Sequence, residues 1–450
     1  MTCTLIINAK IVNEGLITEQ DIFIRNGLIE HIGKNLQHLA ADNIIDAKNL
    51  HLLPGMIDDQ VHFRELGLMH KGDIASESRA AVAGGITSYM EMPNVSPPST
   101  NAMELDKKFA LAAQKSAANY SFYLGATNSN LEDIKRVDKY RVCGVKVFMG
   151  ASTGNLLVDD HNALDSIFEN CPILIATHCE NTSIIRAIEE KYRIGYGENV
   201  PIQLHPIIRS ENACYASTAY AINLAKKHQS DLHVLHISTE KELALFNQGD
   251  IRHKKITAEA CAHFLWFSEE DYTTRGTLIK CNPAIKRTQD RTALINAINN
   301  NVVDIIATDH APHTFEEKQQ TYFKAPAGLP LVQHALPSLL TKVNEGVFTL
   351  EKVVEKVAHN PAIRYKIAKR GFIKEGFYAD VVLVDMNKPT IVDKASLLYK
   401  CQWSPFEGQT FTAKIMTTLV NGVNVYDANN DNQKNRQAPI ASRALEFNRD

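Results

Sequence analysis

Two hydrophobic rhythms divide this chain. Over residues 1–55 apolar and polar positions alternate as in short strands. The clearest runs are Leu5-Ile6-Ile7, Asp21-Ile22-Phe23-Ile24 and Leu28-Ile29-Glu30-His31-Ile32, and Asn26-Gly27 is a hairpin-turn signal between the last two. Over residues 56–367 apolar strand-like runs alternate with helical stretches. Eight candidate strands end near His62, Met92, Thr127, Met149, His178, Ile237, Ala260 and Thr308, and the most periodic helical stretches cover residues 102–118, 182–191, 211–228 and 291–299. After residue 368 the alternation returns, in Phe372-Ile373, in Ala379-Asp380-Val381-Val382-Leu383-Val384 and in the run from Lys414 to Val420, followed by an Asn421-Gly422 turn. The pattern predicts an α/β fold: a TIM-like (β/α)8 barrel over residues 56–367, inserted into a small β-sandwich domain formed by both chain ends, 1–55 and 368–450. The last twenty or so residues are polar and read as a disordered or extended tail.

Composition narrows this picture. At 450 residues the chain exceeds one ordinary core. With 44% hydrophobic and 22% charged residues it reads as globular, and a net charge of −3 without long charged blocks argues against nucleic acid or a membrane surface as partner. No apolar run approaches a bilayer span. The N-terminus lacks the basic start of a signal peptide. The eight cysteines form no Cys-x-x-Cys pair. Scattered thiols of this kind fit a reducing cytoplasm.

The chemistry begins with Lys146. It lies in Gly144-Val145-Lys146-Val147-Phe148, a buried-strand pattern in which an unpaired ammonium is costly. His62, His178, His236 and Asp309 each end another strand-like run, and Asn94 follows the second. In a parallel barrel, functional groups gather at the carboxyl ends of the strands. Taken singly, each has a structural reading: a hydrogen-bonded His, an ion-paired Lys, an Asp capping a helix. Jointly they point to a lysine carbamylated by carbon dioxide, an anion able to bridge two divalent cations, and so to a metal-dependent hydrolase.

The run Leu53-Pro54-Gly55-Met56-Ile57-Asp58-Asp59-Gln60-Val61-His62-Phe63-Arg64-Glu65 resembles the first-strand signature of cyclic amidohydrolases. Met92-Pro93-Asn94, Asn282-Pro283-Ala284-Ile285-Lys286, Thr308-Asp309-His310-Ala311-Pro312-His313 and Ser404-Pro405-Phe406-Glu407-Gly408 resemble the dihydroorotase family. The resemblance covers nearly the whole chain. It implies one or two Zn2+ ions per subunit. A carbamate on Lys146 with His178 and His236 would hold one, and His62 with Asp309 the other. Asp309 would be the catalytic acid–base beside a metal-bound hydroxide. Arg64 would grip a substrate carboxylate, with Asn94, Asn282, His313 and the Ala327-Gly328 segment completing the contacts. Without the resemblance, Arg64 reads equally as a surface ion pair. Strand periodicity puts it on the same face as His62 and turns Cys179 away, into packing.

The pattern departs from the family at Gln60, where a His is usual. A neutral amide oxygen is a weaker zinc donor than imidazole, so Gln60 is expected to be a weak ligand or none. Leu66, in place of a proline, and Ala284-Ile285, in place of Pro-Leu, are milder changes. Three readings follow. One is a dihydroorotase interconverting N-carbamoyl-L-aspartate and L-dihydroorotate in pyrimidine synthesis. The second is another cyclic-amide hydrolase, a hydantoinase or allantoinase. The third is an inactive scaffold, favoured only by Gln60. Arg64, Asn94 and His313 favour the first. A homodimer is the default assembly, and residues 150–155 or 314–324 are the candidates for a loop that covers the substrate.

Overall fold

The alternating segments at the two chain ends come together. In the computed structural model, which describes residues 3–150, 154–430 and 441–449, the first segment forms β1 (Cys3–Asn13), β2 (Leu16–Arg25), β3 (Leu28–Gly33), β4 (Asn43–Asp46) and β5 (His51–Pro54). The barrel strands follow: β6 (Met56–Val61), β7 (Ile86–Glu91), β8 (Asn119–Phe122), β9 (Leu124–Gly125), β10 (Val145–Phe148), β11 (Ile175–His178), β12 (Leu232–Val234), β13 (Ile256–Cys261) and β14 (Ile305–Ala307). The last group is β15 (Val381–Asp385), β16 (Thr390–Ile391), β17 (Thr410–Phe411), β18 (Lys414–Val420) and β19 (Val423–Asp427).

The strands of the two chain ends share one mixed sheet, in the order β19-β18-β15-β5-β1-β2-β3, with β4 also on β1. The expected sandwich is therefore a single sheet that forks. Residues 4–7 of β1 pair with β4 and residues 10–11 pair with β5, either side of a register break between Ile6 and Ala9 where Asn8 takes φ 59°. One extra residue bends a strand enough to serve two neighbours. The turns fall where the sequence puts them: Asn26 and Gly27 have φ 53° and 84°, Asn421 and Gly422 have 49° and 76°. Positive φ at both central residues is what a two-residue hairpin turn requires. Phe372-Ile373 is not a strand. Its backbone is held by a side chain instead: Ile373 N–H donates to Asn13 Oδ1 at 3.1 Å, and Asn13 Nδ2 donates to the Ile373 carbonyl at 3.2 Å.

The eight barrel staves lie near their expected ends, with β8 and β9 forming one stave broken at Tyr123. The remaining staves pair in parallel from β9 to β14, and His62 N–H donates to the His310 carbonyl at 2.7 Å to close the ring between β14 and β6. Helices Ala102–Lys115, Thr182–Tyr196, Glu211–His228 and Thr288–Asn299 cover the expected stretches. The first three are capped by the Asn101, Asn181 and Ser210 side chains.

Residues 441–449 lie along the amino end of the barrel. Leu445 and Phe447 enter a buried cluster with Ile57, Met90, Tyr123 and Tyr365, and Leu445 N–H donates to the Tyr120 carbonyl at 2.8 Å. Two apolar residues anchor an otherwise polar stretch, too few to register as an element. The rest of that tail, residues 431–440 and 450, lies outside the described residues. All eight cysteines are unpaired, and Cys143, Cys179, Cys214, Cys261 and Cys281 are buried. Among the described residues no helix is long and apolar enough to cross a membrane.

Candidate active site

At the carboxyl ends of the strands a cavity of about 650 Å³ opens. Gln60, His62, Arg64, Asn94, Lys146, His178, His236, Asn282, Asp309, His313, Ala327 and Gly328 all line it. The strand ends deliver them with local backbone distortion. Arg64, His236 and Asp309 sit at φ 72°, 42° and 52°, conformations that L-residues hold at a cost of about 1–3 kcal/mol each. Because β6 ends at Val61, strand periodicity is not what brings Arg64 beside His62; the turn at Arg64 does so. His236 and Asp309 likewise stand two residues beyond β12 and β14 rather than on their last residues.

One wall of the cavity is a set of groups with missing partners. His62 Nδ1 meets Asn94 Oδ1 at 2.7 Å. That bond places the ring proton on Nδ1, so the Nε2 lone pair faces Asp309 Oδ1 at 3.1 Å, acceptor against acceptor. Gln60 Nε2 donates to the same Asp309 Oδ1 at 3.0 Å, and its Oε1 is buried without a partner. On the other side His178 Nε2 donates to Glu180 Oε2 at 2.9 Å, which leaves Nδ1 as the acceptor facing His236 Nε2 at 2.9 Å. Arg209 pairs with the same Glu180 oxygen. Between the two sides stands Lys146, 1% exposed. Among the described residues its Nζ meets only the Phe148 ring, at 4.7 Å. Burial lowers its pKa to about 8 against the opposing pull of Asp309 and Glu259. Burial pushes the Asp309 carboxyl up, but His62 and His236 outweigh it and hold the group at about 2. Converging imidazole lone pairs, a carboxylate, an orphaned amide oxygen and an unbonded amine make a set into which a divalent cation fits.

The opposite wall is tied off. Arg64 Nε donates to the Pro312 carbonyl at 3.1 Å. His313 Nδ1 accepts from Lys71 Nζ at 3.0 Å, so its Nε2 carries the proton that goes to the Ala327 carbonyl at 3.0 Å. Arg64 Nη2, 3.1 Å from that same Nε2, then finds no lone pair there and remains available to the cavity. Lys280 and Lys318 bind the segment behind this wall, Lys318 through the carbonyls of Lys280, Pro326 and Gly328 at 2.8, 2.9 and 2.9 Å. Residues 314–324, expected as a covering loop, are a bonded part of this wall. Of the other candidate loop, residues 151–153 lie outside the described residues. Gly328 has φ 142°, and a Cβ there would stand 2.4 Å from the Ala311 carbonyl oxygen, so only glycine lets the chain pass this close.

Beneath the cavity lies a group that sequence reading missed. Asp59, His233 and Glu259 are fully buried, with ligand atoms within 4.8 Å of one another, and form a buried metal-site candidate of their own. His233 Nε2 is 3.1 Å from Asp59 Oδ2 and 3.6 Å from Glu259 Oε2. Burial and the neighbouring Asp59 charge raise Glu259 to about 7. None of the three lines the cavity. Glu259 Oε1 accepts the His236 backbone N–H at 2.9 Å and so supports that strained residue. Glu180, Arg209 and Lys71 were also missed. Only Glu180, two residues after His178, stood close enough in sequence to be found.

The parallel barrel, with imidazole and carboxylate donors gathered at its carboxyl mouth, has the architecture of an amidohydrolase. The chain belongs to the amidohydrolase family, whose model matches residues 51–425. It is 30% identical over 431 residues to the dihydroorotase of Methanosphaera stadtmanae, covering 94% of this chain and 96% of that one. It is 33% identical over 424 residues to the dihydroorotase of Pyrococcus abyssi, covering 93% and 94%. Among solved structures, the L-hydantoinase (dihydropyrimidinase) of Arthrobacter aurescens superposes with a TM-score of 0.93 at 25% identity, covering 99% of this chain and 100% of that one.

Proposed function

We propose that this amidohydrolase is a zinc-dependent dihydroorotase, a cytoplasmic enzyme interconverting N-carbamoyl-L-aspartate and L-dihydroorotate. The observation that carries the reading is Arg64. Its Nε is spent on a carbonyl while its terminal N–H groups stay available to the cavity. A free guanidinium edge is the counterpart of a carboxylate, and dihydroorotate carries one. The dihydroorotase names of the Methanosphaera and Pyrococcus relatives support the same substrate.

The residues divide the work. Zinc held by His178, His236, His62, Asp309 and a carbamate on Lys146 would supply an acidified water at neutral pH and polarise the ring amide. The Lys146 amine, at about 8, is deprotonated often enough to react with carbon dioxide. Asp309, ionised throughout the neutral range, takes a proton on its carboxylate and returns it to the ring nitrogen as the amide bond breaks. Asn94 orients His62 through Nδ1. Asn282 Oδ1, buried and unpartnered, accepts a ring N–H. Arg64 holds the carboxylate so that the ring lies against Ala327-Gly328.

The test is ring opening by the zinc-loaded protein on dihydroorotate, hydantoin and allantoin in parallel. Turnover of dihydroorotate above the other two is expected. A second reading, hydantoin hydrolysis, is favoured by the L-hydantoinase superposition, and preference for hydantoin would replace the first. Hydrolysis of none of the three would leave the scaffold reading in place.

A further inference from the structure

The end of the barrel away from the active site has a concavity of its own, of about 430 Å³. Seven Lys or Arg side chains line it against one acid, Asp231. Three of the seven are neutralised: Arg252 by Asp250 at 3.0 Å, Lys254 by Asp304 at 2.7 Å and Arg364 by Asp231 at 3.1 Å. Lys139, Lys255, Lys366 and Arg449 have no ion-pair partner among the described residues. Lys255 donates to the Gln229 carbonyl at 3.1 Å. Arg449 donates to the carbonyls of Lys139, Val142, Cys143 and Tyr365 and is 7% exposed. Its charge is fixed in place and weakly screened. The Arg364 side chain, also 7% exposed, keeps a buried Nε without a partner.

Four unmatched positive charges around one concavity stand out in a chain of net charge −3. A cleft of one sign with low-dielectric walls concentrates the opposite ion. Ile173, Leu174 and Ile251 give it a buried apolar floor. We propose that this concavity binds a polyphosphate group, inorganic or carried on a nucleoside. The Lys139, Lys255 and Lys366 ammonium groups are the donors that match phosphate oxygens, with Arg449 adding its fixed charge behind them, and a triphosphate balances four cations where a single phosphate leaves about half of them unmet. The volume lies in the small-ligand range. The lining segments lead directly into β10, β11, β12 and β13, so this site and the active site occupy opposite ends of the same strands.

Calorimetric titration of the full-length, zinc-loaded protein with tripolyphosphate and with a nucleoside triphosphate tests this. One site per chain is expected for at least one probe. Lys139→Ala with Lys366→Asn should weaken it at least tenfold while circular dichroism and the thermal midpoint stay unchanged. Both variants alter side chains outside the active site, and Asn tolerates the left-handed backbone of Lys366. Equal affinity for both probes assigns the site to the phosphates alone; tighter nucleotide binding brings the apolar floor into it. The proposal is overturned if neither probe binds at millimolar concentration. It is equally overturned if the double variant binds as tightly as the parent, because the anion would then sit at Arg64 or on the zinc.

Discussion

Lys146 and Lys318 are buried lysines on opposite sides of one cavity, 1% and 0% exposed. Lys318 gives hydrogen bonds to three backbone carbonyls. Lys146 gives none among the described residues and faces only an aromatic ring. The walls behind them differ in the same way. Around Lys318 the chain is closed: Lys280 reaches the Ala325 carbonyl at 2.7 Å, and Trp403 Nε1 reaches the His313 carbonyl at 2.7 Å. Around Lys146, acceptors face acceptors and the Gln60 oxygen has no partner. Buried polar groups are nearly always satisfied, so a cluster of exceptions marks where something else must bind, and the satisfied wall is its frame.

Replacing each lysine by methionine should therefore move the protein in opposite directions. The largest effect is expected at Lys146→Met, with loss of metal and of ring-opening activity by roughly 10³-fold or more, the scale of removing a preorganised electrostatic group. In the metal-free, bicarbonate-free protein the same change should stabilise. Burial lowers the folded-state pKa from 10.5 to about 8, so charging this amine costs the fold about 3 kcal/mol. That cost is full below pH 8 and fades as pH rises towards 10.5. Urea denaturation of parent and variant at pH 7 and pH 10.5 should show a gap that closes; a constant gap would mean packing rather than charge. Burial pushes the Lys318 amine down as well, but here three carbonyls would lose their donor, so Lys318→Met should do the reverse and destabilise, by about 1–3 kcal/mol, with KM raised through a loosened Gly328. A stable Lys318→Met protein with unchanged KM would show that this wall does not depend on its bonds.

What could be read from the sequence follows the same division. The open wall was legible because its residues lie on or within two residues of the strands: His62, Lys146, His178, His236 and Asp309 each sit in or just after an apolar run, and all line the cavity. The closed wall was not. Lys71 reaches His313 across 242 positions of sequence, and Lys318 acts through backbone carbonyls that carry no residue signature. The barrel was legible through its two periods. The fork at β1 was not, since a single residue, Asn8, makes it. Residues 441–449 run extended, one of the two states expected of the polar tail, but what holds them, Leu445, Phe447 and the Arg449 guanidinium on carbonyls, is too sparse for hydrophobic patterning to register.

Gln60 lies at the boundary of the open wall, with one amide atom spent on Asp309 and the other free. A neutral oxygen is a weaker donor than imidazole, so the ion beside His62 should be the labile one. After dialysis against a chelator the parent should retain about one zinc per chain and Gln60→His about two, a gain of roughly tenfold in affinity for the second ion, counted by emission spectroscopy. A parent that keeps two inert ions would remove the weak-ligand role given to Gln60.

The smallest expected effect sits where the walls meet. Lys71 donates to His313 Nδ1, and that contact keeps the ring proton on Nε2, directed at the Ala327 carbonyl. While Nε2 is protonated it offers Arg64 no lone pair. Lys71→Met removes the donor. The imidazole can then shift its proton to Nδ1, and the freed Nε2 lone pair, 3.1 Å from Arg64 Nη2, would draw the guanidinium away from the carboxylate of the proposed substrate. Loss of one such hydrogen bond is worth about 1 kcal/mol, so KM for dihydroorotate should rise about fivefold with kcat unchanged. Lys71→Arg, which keeps a donor, should restore most of it. In a His313→Ala background the Lys71 change should have no effect on KM, because no imidazole remains to compete for Arg64. An equal penalty in both backgrounds would show that Lys71 acts on the substrate by its own charge rather than through the His313 ring.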